Sequence, residues 1–262
     1  MLVDIGINLT NTRFDKDRDL VISRALEADV VKLLITGTCE KSSEQALNLC
    51  QQFPAVLSTT VGVHPHDADN VSERYIEKLT SLAQSPSAKA IGECGLDYNR
   101  NFSTPENQRR VFQQQVELAA NLSMPLFLHQ RDAFDDWLDI LTPYVDKVPA
   151  MVTHCFTGNK SQLLQCLDMG MYVGITGWLC DKKRGQELRD IVKYIPLDRL
   201  MVETDGPYLT PQNIKPKPKS SRNEPMYLPY IIEMLTECMG YSKQEIIDCS
   251  YQNSIKVFTL ND

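Results

Sequence analysis

The chain has 262 residues, a length that fits one large domain or two smaller ones. Hydrophobic residues make up 42% of it and charged residues 23%, which excludes a mainly disordered protein. The net charge of −7 disfavours a protein that binds nucleic acid over a broad basic face. It still allows an enzyme that holds a phosphate through a metal ion and a few local cations.

Eight short apolar stretches rich in β-branched residues recur along the chain and predict strands. They span residues 2–7, 31–36, 56–63, 89–93, 125–129, 150–154, 171–176 and 200–205. Segments with the periodicity of amphipathic helices separate them, most clearly residues 105–122, where Thr104 suits the N-cap and Pro105 the first helical position. Apolar strands that alternate with helices indicate parallel β-α-β units. Eight such units predict an α/β fold, a single (β/α)8 TIM barrel over residues 1–262.

An open, doubly wound α/β sheet is the alternative fold, but no Gly-x-Gly-x-x-Gly turn follows the first strand. The most proline-rich stretch, residues 207–225, follows the eighth strand. We interpret it as a long loop at the mouth of the barrel and not as a domain boundary. Between residues 215 and 222 it carries four basic residues and no acid.

No run of 18 apolar residues occurs, so we predict no membrane-spanning helix. The N-terminal residues lack a basic segment before an apolar stretch, and we therefore expect no signal peptide. The eight cysteines are scattered without a Cys-x-x-Cys pair. Together these features predict reduced thiols in a cytoplasmic protein.

All four histidines and two acids lie at, or just past, the C-terminal ends of predicted strands. They are His64 and His66, Glu93, His129, His154 and Asp205. Because these strand ends meet at one mouth in a barrel, we expect the side chains to gather there. Imidazole and carboxylate groups bind divalent cations, and a bound cation activates water near neutral pH. Asp205 is placed to ligate the cation and to orient or deprotonate that water.

Each of these residues also has a plain structural interpretation. A single strand-end histidine is more often a hydrogen-bonding loop residue, so only the joint occurrence points to a metal site. His66, one step into its loop, fits a supporting role and a structural role equally well. The basic residues Lys217 and Arg222 fit a solvated loop as well as contacts to phosphate. Trp178 and Tyr208 could pack against the protein or stack on bases.

Seven sequence blocks, taken in order, resemble those of the bacterial TatD-type deoxyribonucleases of the metal-dependent hydrolase superfamily. The blocks are DIGINLT (4–10), GVHPHD (62–67), IGECGLDY (91–98), LHQR (128–131), HCFTG (154–158), GITGW (174–178) and ETDGPY (203–208). The resemblance implies a distorted TIM barrel and a divalent-metal-dependent phosphodiesterase. It implies metal-ligand roles for Glu93, His129, His154 and Asp205, and it places His64 beside the scissile phosphate.

The first strand departs from a pattern of many relatives, which carry His-x-His there to ligate one of two metals. Here the positions read Gly6-Ile7-Asn8, which offers no side chain at position 6 and a neutral amide at position 8. We expect one firm metal position and one weak position that keeps Glu93 and Asp205 with Asn8 or water. The expected ion is Mg²⁺, with Mn²⁺ and Zn²⁺ as alternatives.

The resemblance also implies a function: a 3′–5′ exonuclease on single-stranded DNA and RNA, tied to the repair of oxidatively damaged DNA. We expect a monomer that acts on 3′ ends, without a membrane. The residues expected to contact substrate are Asn8, His66, Arg131, Lys217 and Arg222.

Two other functions compete with the exonuclease. An amide or lactone hydrolase of the same superfamily is the main alternative. It is disfavoured because Glu93 stands where such enzymes often use a carboxylated lysine. A non-catalytic protein that binds metal or nucleic acid is disfavoured by Asp205, the residue suited to handling water.

Overall fold

A computed structural model describes residues 1–260 and shows eight parallel strands in the order β1 to β8. The strands are β1 Leu2–Ile7, β2 Val30–Ile35, β3 Leu57–Val61, β4 Ala88–Asp97, β5 Leu126–Arg131, β6 Met151–Thr153, β7 Tyr172–Ile175 and β8 Leu200–Val202. A parallel bridge between Ile7 and Gly206 brings the last strand next to the first. The predicted (β/α)8 TIM barrel is confirmed. Residues 261 and 262 of the predicted domain lie outside the described residues.

Helices follow the strands and surround the barrel. They are α1 Arg18–Glu27, α2 Glu40–Gln52, α3 Tyr75–Ala83, α4 Pro105–Leu122, α5 Phe134–Leu141, α6 Lys160–Asp168, α7 Gln186–Ile191, α8 Leu228–Met239 and α9 Lys243–Phe258. The predicted helix over 105–122 is confirmed at both ends. Its N-cap is Thr104, whose hydroxyl accepts a hydrogen bond from the Asn107 amide at 3.4 Å.

Most strand ends lie within two residues of the prediction, and the largest differences are at the C-terminal ends of β4 and β8, which border the mouth. β4 continues to Asp97 because it pairs with β5 as far as Arg131. β8 ends at Val202, although the chain beyond it still bonds to neighbouring strands. The Glu203 amide donates to the Ile175 carbonyl at 3.1 Å, and the Asp205 amide donates to the Gly6 carbonyl at 2.8 Å.

An apolar layer inside the barrel forms the floor of the mouth. It contains residues from seven strands and from the chain around α9: Val3, Ile5, Leu34, Ala90, Phe127, Val152, Tyr172, Met201, Tyr251, Val257, Phe258 and Leu260. The ring of Phe127 packs against that of Phe258, with centroids 6.3 Å apart, and against that of His154, at 4.7 Å. The buried floor therefore supports a histidine at the mouth above it.

None of the helices described within residues 1–260 has both the length and the apolar composition needed to cross a membrane. All eight cysteines lie within this range, and each is a free thiol.

Candidate metal centre

The mouth of the barrel encloses a cavity of about 760 Å³. Most of the residues singled out from the sequence line it: Asn8, His64, His66, Glu93, His129, Arg131, His154 and Asp205. Lys217 and Arg222 do not. The four histidines and two acids, spread over 142 positions of the chain from His64 to Asp205, are thus brought together at one place.

Glu93 lies at the centre of the histidines. Its Oε1 atom is 2.9 Å from His154 Nε2, 3.0 Å from His129 Nδ1 and 3.4 Å from His64 Nε2. One carboxylate oxygen therefore faces three imidazole rings. The chain reaches this geometry through Gly92, which has a φ of +144° and where a Cβ would lie 2.2 Å from the Phe127 carbonyl oxygen. Only glycine allows β4 to approach β5 so closely just before Glu93.

Burial and charge act against each other in this cluster. Burial alone would raise the pKa of Glu93, but His154 and His64 hold that pKa well below its usual range. Burial lowers the pKa of His64 to about 4, although the nearby Glu93 carboxylate acts to raise it. For His154, burial acts to lower the pKa, but the carboxylates of Glu203 and Glu93 hold it well above the usual range. Burial also raises the pKa of Asp205 to about 7.

Glu203 is a site residue that we did not predict. It is fully buried, and its Oε2 atom lies 2.9 Å from His154 Nδ1 while Oε1 accepts a hydrogen bond from the Cys155 amide. A carboxylate on the outer nitrogen of a histidine orients the ring and directs the other nitrogen to a metal or substrate. The only signal in the sequence was its place in the ETDGPY block.

Room for Glu203 comes from two small residues. A Cβ atom at Gly6 would lie 2.2 Å from Glu203 Oε2, and one at Gly174 would lie 2.4 Å from Oε1. Gly6 is the position at which the first strand departs from the His-x-His pattern described above. In this chain the missing side chain leaves space that the Glu203 carboxylate fills.

Asp97, at the end of β4, is a second site residue that we did not predict. Its Oδ2 atom lies 2.7 Å from His66 Nε2 and 3.4 Å from His129 Nε2. Its Oδ1 atom accepts hydrogen bonds from the amides of Asn99 and Arg100, at 3.1 and 3.0 Å. The Asp97 carboxylate thereby holds His66 against the cluster, and this contact fits a supporting role for His66.

Asn8 lies beside Asp205. The Asn8 side-chain amide donates a hydrogen bond to Asp205 Oδ1 at 2.9 Å. The Asp205 backbone is left-handed, with a φ of +53°. The amide at position 8 therefore holds one carboxylate oxygen of Asp205 in place.

A family model described as TatD related DNase matches residues 3–259. The chain belongs to this family. It is 49% identical over 259 residues to the "3'-5' ssDNA/RNA exonuclease TatD" of Pectobacterium carotovorum subsp. carotovorum, a match that covers 99% of this chain and 100% of the relative. The protein of the same name from Salmonella typhimurium is 47% identical over 257 residues, covering 98% of each chain.

Two solved structures share the fold of this chain. A TatD family hydrolase from Entamoeba histolytica superposes with a TM-score of 0.91 at 27% identity, covering 99% of this chain and 98% of the other. The TatD homologue YJJV from Escherichia coli K12 superposes with a TM-score of 0.90 at 24% identity, with the same coverage, which shows the shared fold.

Membership of the TatD family implies a divalent metal, and the residues at the mouth fit one. His64, Glu93 and His129 each offer a ligand atom, and these atoms all lie within 4.8 Å of one another. The buried Nε2 atom of His129 has no well-directed hydrogen bond among the described residues. Imidazole nitrogens with a carboxylate form a common donor set for divalent cations. His64, which we placed beside the phosphate, thus also lies within the metal-competent group.

Arg131 lies at the mouth, as a substrate contact should. Its guanidinium donates to Thr157 Oγ1 at 3.2 Å and lies 5.2 Å from the centre of the Trp178 ring. Among the described residues, the hydrogen-bond partner of this guanidinium is a hydroxyl and not a carboxylate. Lys217, by contrast, is exposed and lies outside the residues that line the mouth.

Arg222 has a structural role that argues against the predicted substrate contact. Its guanidinium binds both carboxylate oxygens of Asp17 at 2.7 Å, Glu224 Oε1 at 2.7 Å and the Arg13 carbonyl at 2.7 Å. It also lies 5.1 Å from the centre of the Phe14 ring. Its donors are used to fasten the proline-rich loop to the chain before α1, so they are not free for phosphate.

Arg222→Ala is expected to lower the free energy of unfolding by about 2 kcal/mol, because the partly buried carboxylates of Asp17 and Glu224 would keep only Arg24 as an ionic partner among the described residues. The Arg222 hydrogen bond lowers the pKa of Asp17 from 3.8 to about 2. A lowered carboxyl pKa stabilises the fold above the unfolded pKa, and that stabilisation is lost as the pH falls toward the folded pKa. Denaturant unfolding between pH 2 and 7 should show a difference between wild type and variant that is constant above about pH 5 and shrinks below pH 4.

Lys217→Ala, an exposed position in the same loop, is the matched control and should unfold like the wild type. A wild-type stability for Arg222→Ala, or a difference that does not change with pH, would contradict the structural role of Arg222.

Proposed function

We propose that this chain is a divalent-metal-dependent 3′–5′ exonuclease that removes nucleotides from single-stranded DNA and RNA. The observation that carries the proposal is the position of Glu93, whose carboxylate faces three imidazoles at the mouth of a TatD family barrel. The names of the relatives from Pectobacterium and Salmonella support the direction and the substrate.

In this proposal Glu93, His129, His154 and Asp205 hold the metal. When bound, the cation supplies polarisation of a phosphoryl oxygen and activation of water. Asp205 also accepts the proton of the attacking water, and Asn8 keeps its carboxylate oriented for that transfer. His64 hydrogen-bonds the scissile phosphate and stabilises charge as it develops. Glu203 keeps the His154 ring in one orientation.

Several finer features belong to the same proposal. We propose Mg²⁺ as the ion, with one firm position, since Gly6 contributes no ligand and the Asn8 amide is engaged with Asp205. We also propose a single catalytic domain and a monomer that acts in the cytoplasm. The resemblance to the TatD-type enzymes supports a role in the repair of oxidatively damaged DNA.

An end-blocking assay tests the proposal. Single- and double-stranded oligonucleotides, blocked at the 3′ or the 5′ end, are incubated with Mg²⁺, Mn²⁺ or Zn²⁺, or with a chelator. We expect mononucleotide release from single strands with a free 3′ end. A 3′ block or chelation should abolish the release, whereas a 5′ block should leave it unchanged.

Two results would contradict the exonuclease. Release that continues after the 3′ end is blocked would exclude the 3′–5′ direction. Hydrolysis of cyclic amides or lactones without nucleotide release would favour the alternative hydrolase.

A further inference from the structure

Phe102 is a solvent-exposed aromatic side chain beside the candidate site. It lies in the loop between β4 and α4, and at 66% it has the largest exposed fraction of any large hydrophobic side chain in residues 1–260. Its ring packs edge-on against that of His66, with the centroids 4.8 Å apart. A single exposed aromatic ring is not unusual by itself, but this ring lies against a histidine of the candidate site.

Tyr208 is a second exposed aromatic residue at the mouth. It is 50% exposed, lines the mouth cavity and follows β8, and its hydroxyl accepts a hydrogen bond from the Asn11 side chain at 3.2 Å. In an eight-stranded barrel, β4 and β8 lie four strands apart and hence on opposite sides. Phe102 and Tyr208 therefore lie on opposite sides of the Glu93 cluster.

The rim also carries positive charge that is not neutralised by the protein. Arg100, two residues before Phe102, is exposed and lines the mouth cavity. Among the described residues, the guanidinium of Arg100 forms no ion pair, and neither does that of Arg131. In a chain with a net charge of −7, unpaired arginines around an acidic centre suit the phosphates of a polyanion.

We propose that Phe102 and Tyr208 stack on the two nucleobases that flank the scissile phosphate, one base on each aromatic ring. This inference rests on the proposed exonuclease function and identifies how the site recognises its substrate. Stacking accepts any base, because every base has an apolar face, so no sequence preference is expected. It requires bases that can leave their neighbours, so the same contacts select single strands over duplexes.

The test pairs protein variants with substrates that lack one base. Phe102→Ala, Tyr208→Ala and the wild type are assayed on single-stranded oligonucleotides that are complete, abasic at the 3′-terminal residue, or abasic at the next residue. In the wild type, each missing base should lower kcat/KM by about tenfold. Each variant should be slower on the complete strand by a similar factor. For one of the two abasic strands, each variant should show no further decrease in kcat/KM relative to the complete strand. The strand that shows no further decrease should be one abasic position for Phe102→Ala and the other for Tyr208→Ala.

Two controls separate stacking from general damage. Tyr241→Ala changes an exposed tyrosine between α8 and α9 that does not line the mouth, and it should keep both abasic penalties. Phe102→Tyr keeps an aromatic ring and should retain both abasic penalties.

Three results would overturn the proposal: no abasic penalty in the wild type, both penalties retained in both variants, or loss of the same penalty in both. A failure of the exonuclease function itself looks different, because the wild type would then release no nucleotide from the complete strand.

Discussion

Glu93→Gln is expected to reduce nucleotide release by more than about a hundredfold and to weaken metal binding, while the barrel stays folded. Glutamine keeps the volume of glutamate, so the packing of β4 against β5 is preserved. The substitution replaces the carboxylate with a neutral amide. In the wild type, an oxygen of that carboxylate lies 2.9 to 3.4 Å from three imidazoles. Because the charge and one strong ligand are both lost, the effect should exceed that of any rim substitution. His154→Ala should have a similar effect on release.

Isothermal titration calorimetry with Mg²⁺ and Mn²⁺ measures the metal binding directly, and circular dichroism checks the fold. Glu106→Gln, an exposed glutamate in the first turn of α4, is the matched control and should bind metal and cleave like the wild type. Wild-type release by Glu93→Gln or His154→Ala would exclude the proposed metal centre.

Gly6→Ala is expected to cause the second large effect, on stability as well as on activity. The added Cβ would lie 2.2 Å from Glu203 Oε2 and 3.3 Å from the Phe127 ring, so the buried Glu203 carboxylate would have to shift. Overpacking of this kind costs about 1–3 kcal/mol, which corresponds to a loss of about 5 °C in Tm for a chain of this size. Because a displaced Glu203 no longer orients His154, metal affinity should fall by about tenfold or more.

A double-mutant cycle identifies the clash. On a Glu203→Ala background, Gly6→Ala should cost little further stability, since the obstructing carboxylate is gone. Gly240→Ala is a control glycine with open space around it, and its φ of +77° makes its cost one of backbone strain alone. Equal costs of Gly6→Ala with and without Glu203 would show that the two residues do not compete for space.

The same clash explains the departure in the first strand. A histidine at position 6 would need the space that Glu203 now occupies while it holds His154. The absence of a side chain at position 6 and the placement of Glu203 are therefore one structural feature. A metal centre that depends on Glu93 and His154 is consistent with this packing, whereas a second centre built on position 6 is not.

The sequence by itself determined the features that depend on local pattern. Apolar runs and helical periodicity report burial and backbone geometry over a few residues, so they located all eight strands and both ends of α4. The parallel topology then placed every strand-end histidine at one mouth. For the same reason Glu93 and Asp205, which directly end apolar runs, could be predicted as members of the site.

Only the tertiary structure decided which partners these residues meet. His154 and Glu203 are 49 positions apart, His66 and Asp97 are 31 apart, and Arg222 and Asp17 are 205 apart. No local pattern reports such pairs, because the partner of a charged side chain is set by how distant segments pack. That packing made Glu203 and Asp97 part of the site and gave Arg222 a structural role. A charged group that is removed from water must be paired or hydrogen-bonded, and the fold determines which group lies close enough to do so.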